Sequence, residues 1–160
     1  MIFRQARSNE TAGLFEEGYK VWSKNRTFEQ YCADNSKEDA LGTRHVIESG
    51  GEIVSSIILL KLKDFRGNKV HGIGSVLTPE KHAGKGYATM LIKHCLNTVS
   101  KDALIFLYSD INPQFYARFG FRALPSRFQK KDNSVCMLRC NGDIWKDLLA
   151  TSVAHIPNYF

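Results

Sequence analysis

The stretch Pro79-Glu-Lys-His-Ala-Gly-Lys-Gly-Tyr-Ala-Thr-Met-Leu-Ile92 decides how the rest of the chain is interpreted. A strand-like segment ends at Pro79, a loop with Gly84 and Gly86 follows, and an amphipathic helical pattern begins. A helix N-terminus exposes backbone N–H groups and the positive end of the dipole, so it attracts anions. Glycine removes the side chain where a phosphate must approach the backbone. The stretch therefore predicts either an anion site or a plain turn that needs glycine for its backbone angles.

The spacing of the two glycines distinguishes among phosphate-binding loops. It is not GxGxxG, because Thr89 stands where a third glycine belongs, and GxxxxGK[ST] is absent. The pattern Lys81-His-Ala-Gly84-Lys-Gly86 resembles the pyrophosphate loop of the GNAT superfamily of N-acetyltransferases, written Arg/Gln-x-x-Gly-x-Gly/Ala. Lys81 departs from that pattern, since it keeps the charge but lacks the fork of an arginine.

The resemblance to this superfamily implies acetyl-CoA as co-substrate. Backbone amides from Gly84 to Thr89 would hold its pyrophosphate, and the preceding strand would pair with the pantetheine arm. That pairing requires the strand to splay from its parallel neighbour at about residues 103–108. The implied cofactor-binding residues are Val76, Leu77, Thr78, His82, Ala83, Gly84, Lys85, Gly86, Tyr87, Ala88, Thr89, Asn112 and Phe115.

A second segment, Leu107 to Phe121, resembles another signature of the superfamily, a strand leading into a short helix that ends in Tyr-x-x-x-Gly-Phe. The resemblance implies that Tyr116 is the general acid for the departing thiolate. A phenol has a pKa of about 10, close to that of a thiol, so the chemistry is reasonable. The alternative is that Tyr116 packs in the core with Phe115 and Phe119.

The same segment carries a narrower resemblance. Tyr108-Ser-Asp-Ile111 and Phe115-Tyr-Ala-Arg-Phe-Gly120 look most like fungal lysine N-acetyltransferases, although Ser109 and Asn112 replace residues that many GNAT members share. We therefore expect a primary amine as acceptor, either a small molecule or a lysine-type side chain.

An acceptor amine must lose a proton before it attacks, because an alkyl ammonium has a pKa near 10.4. Asp110, just beyond a strand end, is the second predicted catalytic residue: it would bind the ammonium or accept its proton, or else cap the helix near Pro113. Glu48 and Glu52 are further candidates for the base. No Ser-His-Asp motif or acyl-enzyme nucleophile stands out, so direct transfer from acetyl-CoA to the amine is expected.

Along the whole chain, the apolar periodicity predicts a strand, two helices, three strands, a helix, a strand, a helix, two strands and a last short helix. Together with the resemblance, this order implies one α/β domain over residues 1–160, with the GNAT-like acyl-CoA N-acyltransferase fold. Its sheet would be mixed, mostly antiparallel and of six or seven strands, with splayed central parallel strands and flanking helices. The predicted strands lie at 1–7, 43–49, 52–62, 70–77, 103–108, 121–129 and 135–139, the helices at about 9–22, 27–34, 84–100, 113–119 and 144–149, and a loop at 37–41.

Composition narrows the remaining classes of function. The chain has 160 residues and a net charge of +6, and no apolar run approaches the roughly 18 residues that span a bilayer. With no signal peptide in the sequence, we expect a cytoplasmic monomer or homodimer without a metal, whose four cysteines are reduced. An acyl-CoA sensor without activity and a basic nucleic-acid-binding domain are the alternatives. The sequence has no basic arm or aromatic RNA-binding motif, which disfavours the nucleic-acid-binding alternative.

Overall fold

Seven β-strands and five α-helices make up the computed structural model, which describes residues 1–160. The strands are β1 (Ile2–Gln5), β2 (Gly42–Ser49), β3 (Glu52–Phe65), β4 (Asn68–Leu77), β5 (Leu104–Ser109), β6 (Arg122–Ala123) and β7 (Val135–Arg139). The helices are α1 (Thr11–Trp22), α2 (Phe28–Leu41), α3 (Tyr87–Thr98), α4 (Gln114–Ala117) and α5 (Gly142–Leu149). Short 3-10 turns lie at Ser8–Glu10, Glu80–His82, Ser126–Phe128 and Val153–His155.

The strands form one sheet in the order β1-β2-β3-β4-β5-β7-β6. β4 and β5 run parallel, whereas β1 with β2, β2 with β3, β5 with β7 and β6 with β7 are antiparallel. The parallel ladder runs from the pair Val70–Leu104 to the pair Ile73–Leu107, while β4 continues to Leu77 and β5 to Ser109. The predicted fold class, a mostly antiparallel sheet of six or seven strands with a central parallel pair and flanking helices, is confirmed, and the sheet has seven strands.

The chain divides into two compact units, and the first consists of Met1–Leu60 and Ser75–Thr98. Its core includes Leu14 and Phe15 of α1, Tyr31 of α2 and the buried face of α3. Helices α1 and α2 approach closely at Gly18, where a Cβ atom would lie 2.2 Å from the Tyr31 hydroxyl oxygen. A larger residue at this position would require the Tyr31 ring or one of the two helices to move.

The second unit consists of Lys61–Gly74 and Val99–Phe160. Its apolar cluster gathers around β5, whose side chains are all buried, and takes in Phe128 and Leu148. The C-terminal segment packs on the same cluster: the Tyr108 hydroxyl donates to the Pro157 carbonyl at 2.7 Å. The Phe160 ring lies 2.7 Å from the position that a Cβ atom of Gly72 would occupy.

The prediction of a short second helix followed by a loop at 37–41 was wrong. α2 begins after Thr27, whose side chain accepts from the Gln30 N–H, and continues to Leu41. Its sequence, FEQYCADNSKEDAL, spreads polar residues around the helix, so apolar periodicity fades after Tyr31. What extends the helix is polar: buried Asn35 donates to the Tyr31 carbonyl at 3.0 Å and accepts from Arg44.

The prediction of a strand at 121–129 was also too long. The strand is limited to Arg122 and Ala123, and the Leu124 N–H adds one further hydrogen bond, to the Cys136 carbonyl of β7 at 3.0 Å. Pro125 has no N–H for a strand ladder, and a 3-10 turn follows it that buries the Phe128 ring completely. The chain therefore leaves the sheet at Pro125, and the turn that follows places the Phe128 ring in the core.

The helix predicted at 84–100 is shorter than expected and runs from Tyr87 to Thr98. Gly84 and Gly86 have φ angles of +74° and +80°, which lie outside the right-handed helical region. Both glycines therefore belong to the loop. The five α-helices are too short or too polar for any of them to cross a lipid bilayer.

Candidate active site

The loop between β4 and α3 presents backbone without side chains. A Cβ atom built on Gly84 would meet nothing within 4 Å, and one built on Gly86 would meet only the Met90 Cε atom at 3.8 Å. The first hydrogen bond of the helix is from the Met90 N–H to the Gly86 carbonyl at 3.1 Å. The N–H groups of Tyr87 and Ala88 precede that bond, at the positive end of the helix dipole. This open stretch of backbone fits a pyrophosphate group.

Two side chains at the start of the loop, Lys81 and His82, contact neighbouring residues. The Lys81 Nζ atom donates to the Glu52 carboxylate at 2.8 Å, and the His82 Nε2 atom lies 3.3 Å from the same carboxylate oxygen without forming a hydrogen bond. The His82 ring packs edge-on against Tyr87, with centroids 6.3 Å apart. Lys81 is thus engaged with the β2–β3 turn, whereas Ala83 and Lys85 are exposed.

Two of the carboxylates considered as bases are held in ion pairs. Lys81 lowers the pKa of Glu52 by hydrogen bonding. Glu48 accepts from the Arg4 guanidinium at 2.6 and 2.8 Å, and the same guanidinium also holds Glu10. A carboxylate with a lowered pKa is a weaker base, so Glu52 is a poor proton acceptor, and Glu48 is occupied by its ion pair with Arg4.

The end of β4 is attached to β3 through a buried serine. The Ser55 hydroxyl donates to the Leu77 carbonyl at 3.0 Å, and its oxygen lies 3.0 Å from the Thr78 hydroxyl. Ser75 has a φ angle of +46°, which is unusual for a residue with a side chain. Val76, between them, is half-buried. The strand segment predicted to hold the pantetheine arm therefore combines an anchored end with a strained residue.

A cavity of about 350 Å³ lies in the first unit, between α1 and the strands β3 and β4. Its apolar wall comes from Leu14, Ile53, Leu77 and Pro79. The residues that line it include two carboxylates, and none of them is basic. The full lining is Asn9, Glu10, Gly13, Leu14, Glu17, Gly51, Ile53, Ser55, Ser56, Leu77 and Pro79. Sequence reasoning missed this cavity, because no motif marks a helix face that meets a sheet.

In the second unit, Tyr116 lies in α4 and is 8% exposed. Its ring stacks edge-on against Phe115 at 4.9 Å and Phe121 at 6.3 Å. Burial, with a smaller contribution from the Asp110 charge, raises the pKa of Tyr116 to about 12. The phenol is therefore protonated at neutral pH, and it is a weaker acid than an exposed tyrosine.

Asp110 is exposed just after β5, and its carboxylate accepts from the Tyr159 hydroxyl at 2.8 Å. At the start of α4 it is the Asn112 side chain that accepts from the Gln114 N–H, at 3.0 Å. Phe115 is half-buried, with the Arg118 guanidinium 4.3 Å from its ring centre. The structure thus brings Asp110 and Tyr116 together in one unit, and it brings the loop, the end of β4 and the cavity together in the other.

All four cysteines are free, and burial raises the pKa of Cys136 and Cys140 to about 11 and that of Cys95 to about 12. A thiol with such a pKa carries almost no thiolate at neutral pH, so it is a poor nucleophile. No group of three or more His, Cys, Asp or Glu residues is arranged to hold a metal ion.

Comparison with known proteins gives the family. A model described as "Acetyltransferase (GNAT) domain" matches residues 3–124, so the chain belongs to the GNAT acetyltransferase family. Comparison with curated proteins gives no match. The narrower resemblance to fungal lysine N-acetyltransferases is not supported by any of these comparisons.

Solved structures share the fold at low identity. A GNAT family N-acetyltransferase (YhbS) from Escherichia coli in complex with CoA matches with a TM-score of 0.66 and 17% identity, over 86% of this chain and 79% of that one. An aminoglycoside 6'-N-acetyltransferase complexed with coenzyme A matches with a TM-score of 0.69 and 12% identity, over 87% and 96%. A probable N-acyltransferase from Enterococcus faecalis V583 matches with a TM-score of 0.66 and 18% identity over 76% of this chain. This chain spans 32% of the length of that protein. Family and fold agree with acetyl-CoA as the predicted co-substrate.

Proposed function

We propose that the protein is an N-acetyltransferase that moves the acetyl group of acetyl-CoA directly to a primary amine. The observation that carries this proposal is the loop at Gly84 and Gly86, which leaves backbone open in front of the N-terminus of α3. Backbone amides from Gly84 to Thr89 would hold the pyrophosphate, and His82 and Lys85 would flank it. Family membership supports the assignment of acetyl transfer to this loop.

When bound, acetyl-CoA supplies a thioester carbonyl that an amine can attack. The backbone of Val76 to Thr78, which lies beyond the end of the parallel ladder at Ile73, would align the pantetheine arm as a neighbouring strand does. Ser55 keeps the end of that strand in place through the Leu77 carbonyl and the Thr78 hydroxyl. The chain's contribution here is orientation, which lowers the barrier by fixing the reacting atoms.

Tyr116 would donate its proton to the departing sulfur. Its burial keeps that proton in place at every physiological pH, because its pKa of about 12 lies far above neutrality. A thiol in water has a pKa near 8.5, so donation by this phenol is favourable only where the sulfur is buried as well. Asp110 would hold the acceptor ammonium, and Asn112 and Phe115 would shape the surroundings of the arm.

The cavity supports a small amine as acceptor. A volume of about 350 Å³ falls within the range of small-molecule sites and takes in the end of β4, where the thioester is proposed to lie. Its lining holds no basic residue, and its two carboxylates, Glu10 and Glu17, pair with Arg4 and Lys20, which are not among the lining residues. A lysine-type acceptor enters the same cavity only by its side chain.

The proposal is tested by turnover against a panel of amines together with thermal unfolding in the presence of acetyl-CoA. Acetyl-CoA should stabilise the wild type, as a ligand selective for the native state does. Gly84→Asp should remove that stabilisation, since it places a side chain and a negative charge where the pyrophosphate belongs. Gly67→Asp is the matched control, because Gly67 also has a positive φ of +81° and open space around its Cβ position.

Equal stabilisation of wild type and Gly84→Asp would contradict the role of the loop. Stabilisation of the wild type without turnover on any amine would instead indicate an acyl-CoA sensor.

A further inference from the structure

Glu38 is a half-buried carboxylate that the sequence prediction placed in a loop and that the structure places in the last turns of α2. The Ser75 hydroxyl of β4 approaches the Glu38 Oε2 atom at 3.5 Å. Ser75 is the strained residue at which β4 has already passed the end of its parallel ladder, since that ladder stops at Ile73. Strain of this kind concentrates at functional sites.

The surroundings of Glu38 leave its carboxylate less stabilised than its neighbours. Arg44 of β2 is the cation that lowers the pKa of Glu38 most, but its guanidinium is bonded to Asp39 at 2.6 Å and to Asn35 at 3.3 Å. Arg26, before α2, is bonded to Asp34 at 2.8 Å. Burial consequently raises the pKa of Glu38, with Asp39 adding to the increase and Arg44, Ser75 and Arg26 opposing it.

The position of Ser75 connects this carboxylate to the proposed chemistry. Leu77 lines the cavity and lies two residues beyond Ser75, a separation of at most about 7 Å along an extended chain. A base with a pKa closer to neutrality is more effective at pH 7 than a carboxylate with an ordinary pKa. Glu48 and Glu52, by contrast, are both held by cations.

We propose that Glu38, acting through the Ser75 hydroxyl at the end of β4, accepts the proton that the acceptor ammonium must lose. This rests on the proposed acetyl transfer. An N–H bond of the ammonium breaks, its proton passes along the hydroxyl to a Glu38 oxygen, and the electron pair stays on nitrogen. That pair forms the N–C bond as the C–S bond breaks and its electrons leave with sulfur. Tyr116 donates a proton to the sulfur and regains one as the nitrogen loses its second proton, so the net proton released per turnover is the one that leaves Glu38 for water.

The test measures kcat/KM for a good amine against pH in wild type, Glu38→Gln and Glu29→Gln. Glu29 lies exposed in the first turn of the same helix, so its substitution repeats the chemical change away from the sheet. Near pH 7, Glu38→Gln should lose about 10²-fold, as loss of a general base does, and Glu29→Gln should match the wild type. The deficit of Glu38→Gln should shrink toward a pH of about 10.4, where the amine is neutral without help.

A deficit that is the same at every pH, or no deficit, overturns the role of Glu38. Stabilisation by acetyl-CoA should be equal in Glu38→Gln and wild type, which separates the proton acceptor from cofactor binding. If Glu38→Gln does not fold, ¹³C NMR titration of the wild-type carboxyl replaces it: a pKa at or below the ordinary value overturns the proposal. A wild type that acetylates no amine overturns the proposed function and this inference together, whereas an active wild type beside an unaffected Glu38→Gln overturns only the inference.

Discussion

At Gly84 and Gly86 the chain presents bare backbone, whereas at Tyr116 it buries a hydroxyl among aromatic rings. The first region would bind through atoms that every residue has, and the second would act through one side chain whose properties depend on its neighbours. The function proposed for the loop therefore follows from backbone angles, which a glycine spacing reveals. The function proposed for Tyr116 depends on burial and on Asp110, which raise its pKa and which no motif reports.

The largest effect is expected from a substitution that removes only the Tyr116 hydroxyl, and it tests directly whether the two regions differ as proposed. Tyr116→Phe keeps the ring and its packing, so the protein should fold and bind acetyl-CoA normally. Loss of a general acid should reduce the single-turnover rate by about 10²- to 10⁴-fold. Single turnover is the measurement to use, because product release can hide a chemical defect in kcat.

Tyr19→Phe is the control for that substitution, since the Tyr19 hydroxyl donates only to the Arg26 carbonyl, at 2.8 Å. It should cost about 1 kcal/mol of unfolding free energy and leave the rate unchanged. A Tyr116→Phe protein with the wild-type single-turnover rate would show that water or another group protonates the sulfur.

A smaller effect is expected from filling the cavity in the first unit. Gly13 lies in α1, and a Cβ atom there would meet nothing within 4 Å. Gly13→Leu should raise KM for the amine by at least about tenfold, because a few carbon atoms in a small site discriminate to that extent. The protein should be slightly more stable, by up to about 1 kcal/mol, since leucine is a better helix former than glycine.

Gly142→Leu offers the same change at the start of α5, where the Cβ position is also open, and it should leave KM unchanged. If Gly13→Leu leaves KM for every accepted amine as it is, the cavity does not hold the acceptor.

The smallest expected effect concerns Asp110. Asp110→Asn removes the negative charge that would hold the ammonium and keeps a side chain of the same shape. KM for the amine should rise by no more than about fivefold, because an exposed ion pair contributes only about 0.2–1 kcal/mol. The pKa of Tyr116, followed by its absorbance against pH, should fall below about 12, because the Asp110 charge contributes to its increase.

Affinity for acetyl-CoA should not change in this variant. Since Asn112, and not Asp110, accepts from the first N–H of α4, we expect no loss of helix capping. A variant with normal kinetics would remove Asp110 from the site.

The order of strands, the parallel central pair and the loop could be predicted because each leaves a local pattern: alternation in strands, and glycine between a strand and a helix. The length of α2 could not, because Asn35 and Arg44 extend it through polar contacts that periodicity does not register. Because residues 37–41 were predicted to be a loop, Glu38 was not among the predicted site residues. The strand predicted at 121–129 was too long for a different reason. Apolar residues continue past Pro125, but the backbone forms a 3-10 turn there and does not continue as a strand.

The positions of Gly84, Tyr116 and Asp110 in the sequence indicated the candidate residues, but not their environments. Glu48 and Glu52 looked equivalent to other carboxylates in the sequence, and only the structure shows that Arg4 and Lys81 hold them. Such partners lie far along the chain from the residues they affect. The cavity likewise depends on which face of α1 meets the sheet.

The bare backbone of the loop has a consequence for inhibitors. A compound that copies a diphosphate would contact N–H groups that nearly every substitution preserves, so resistance through the contacting atoms themselves would be hard to evolve. For the same reason such a compound would not distinguish this protein from others with a similar loop. Selectivity would have to come from the cavity beside α1, where Gly13 and Glu17 can change, and resistance could arise there as well.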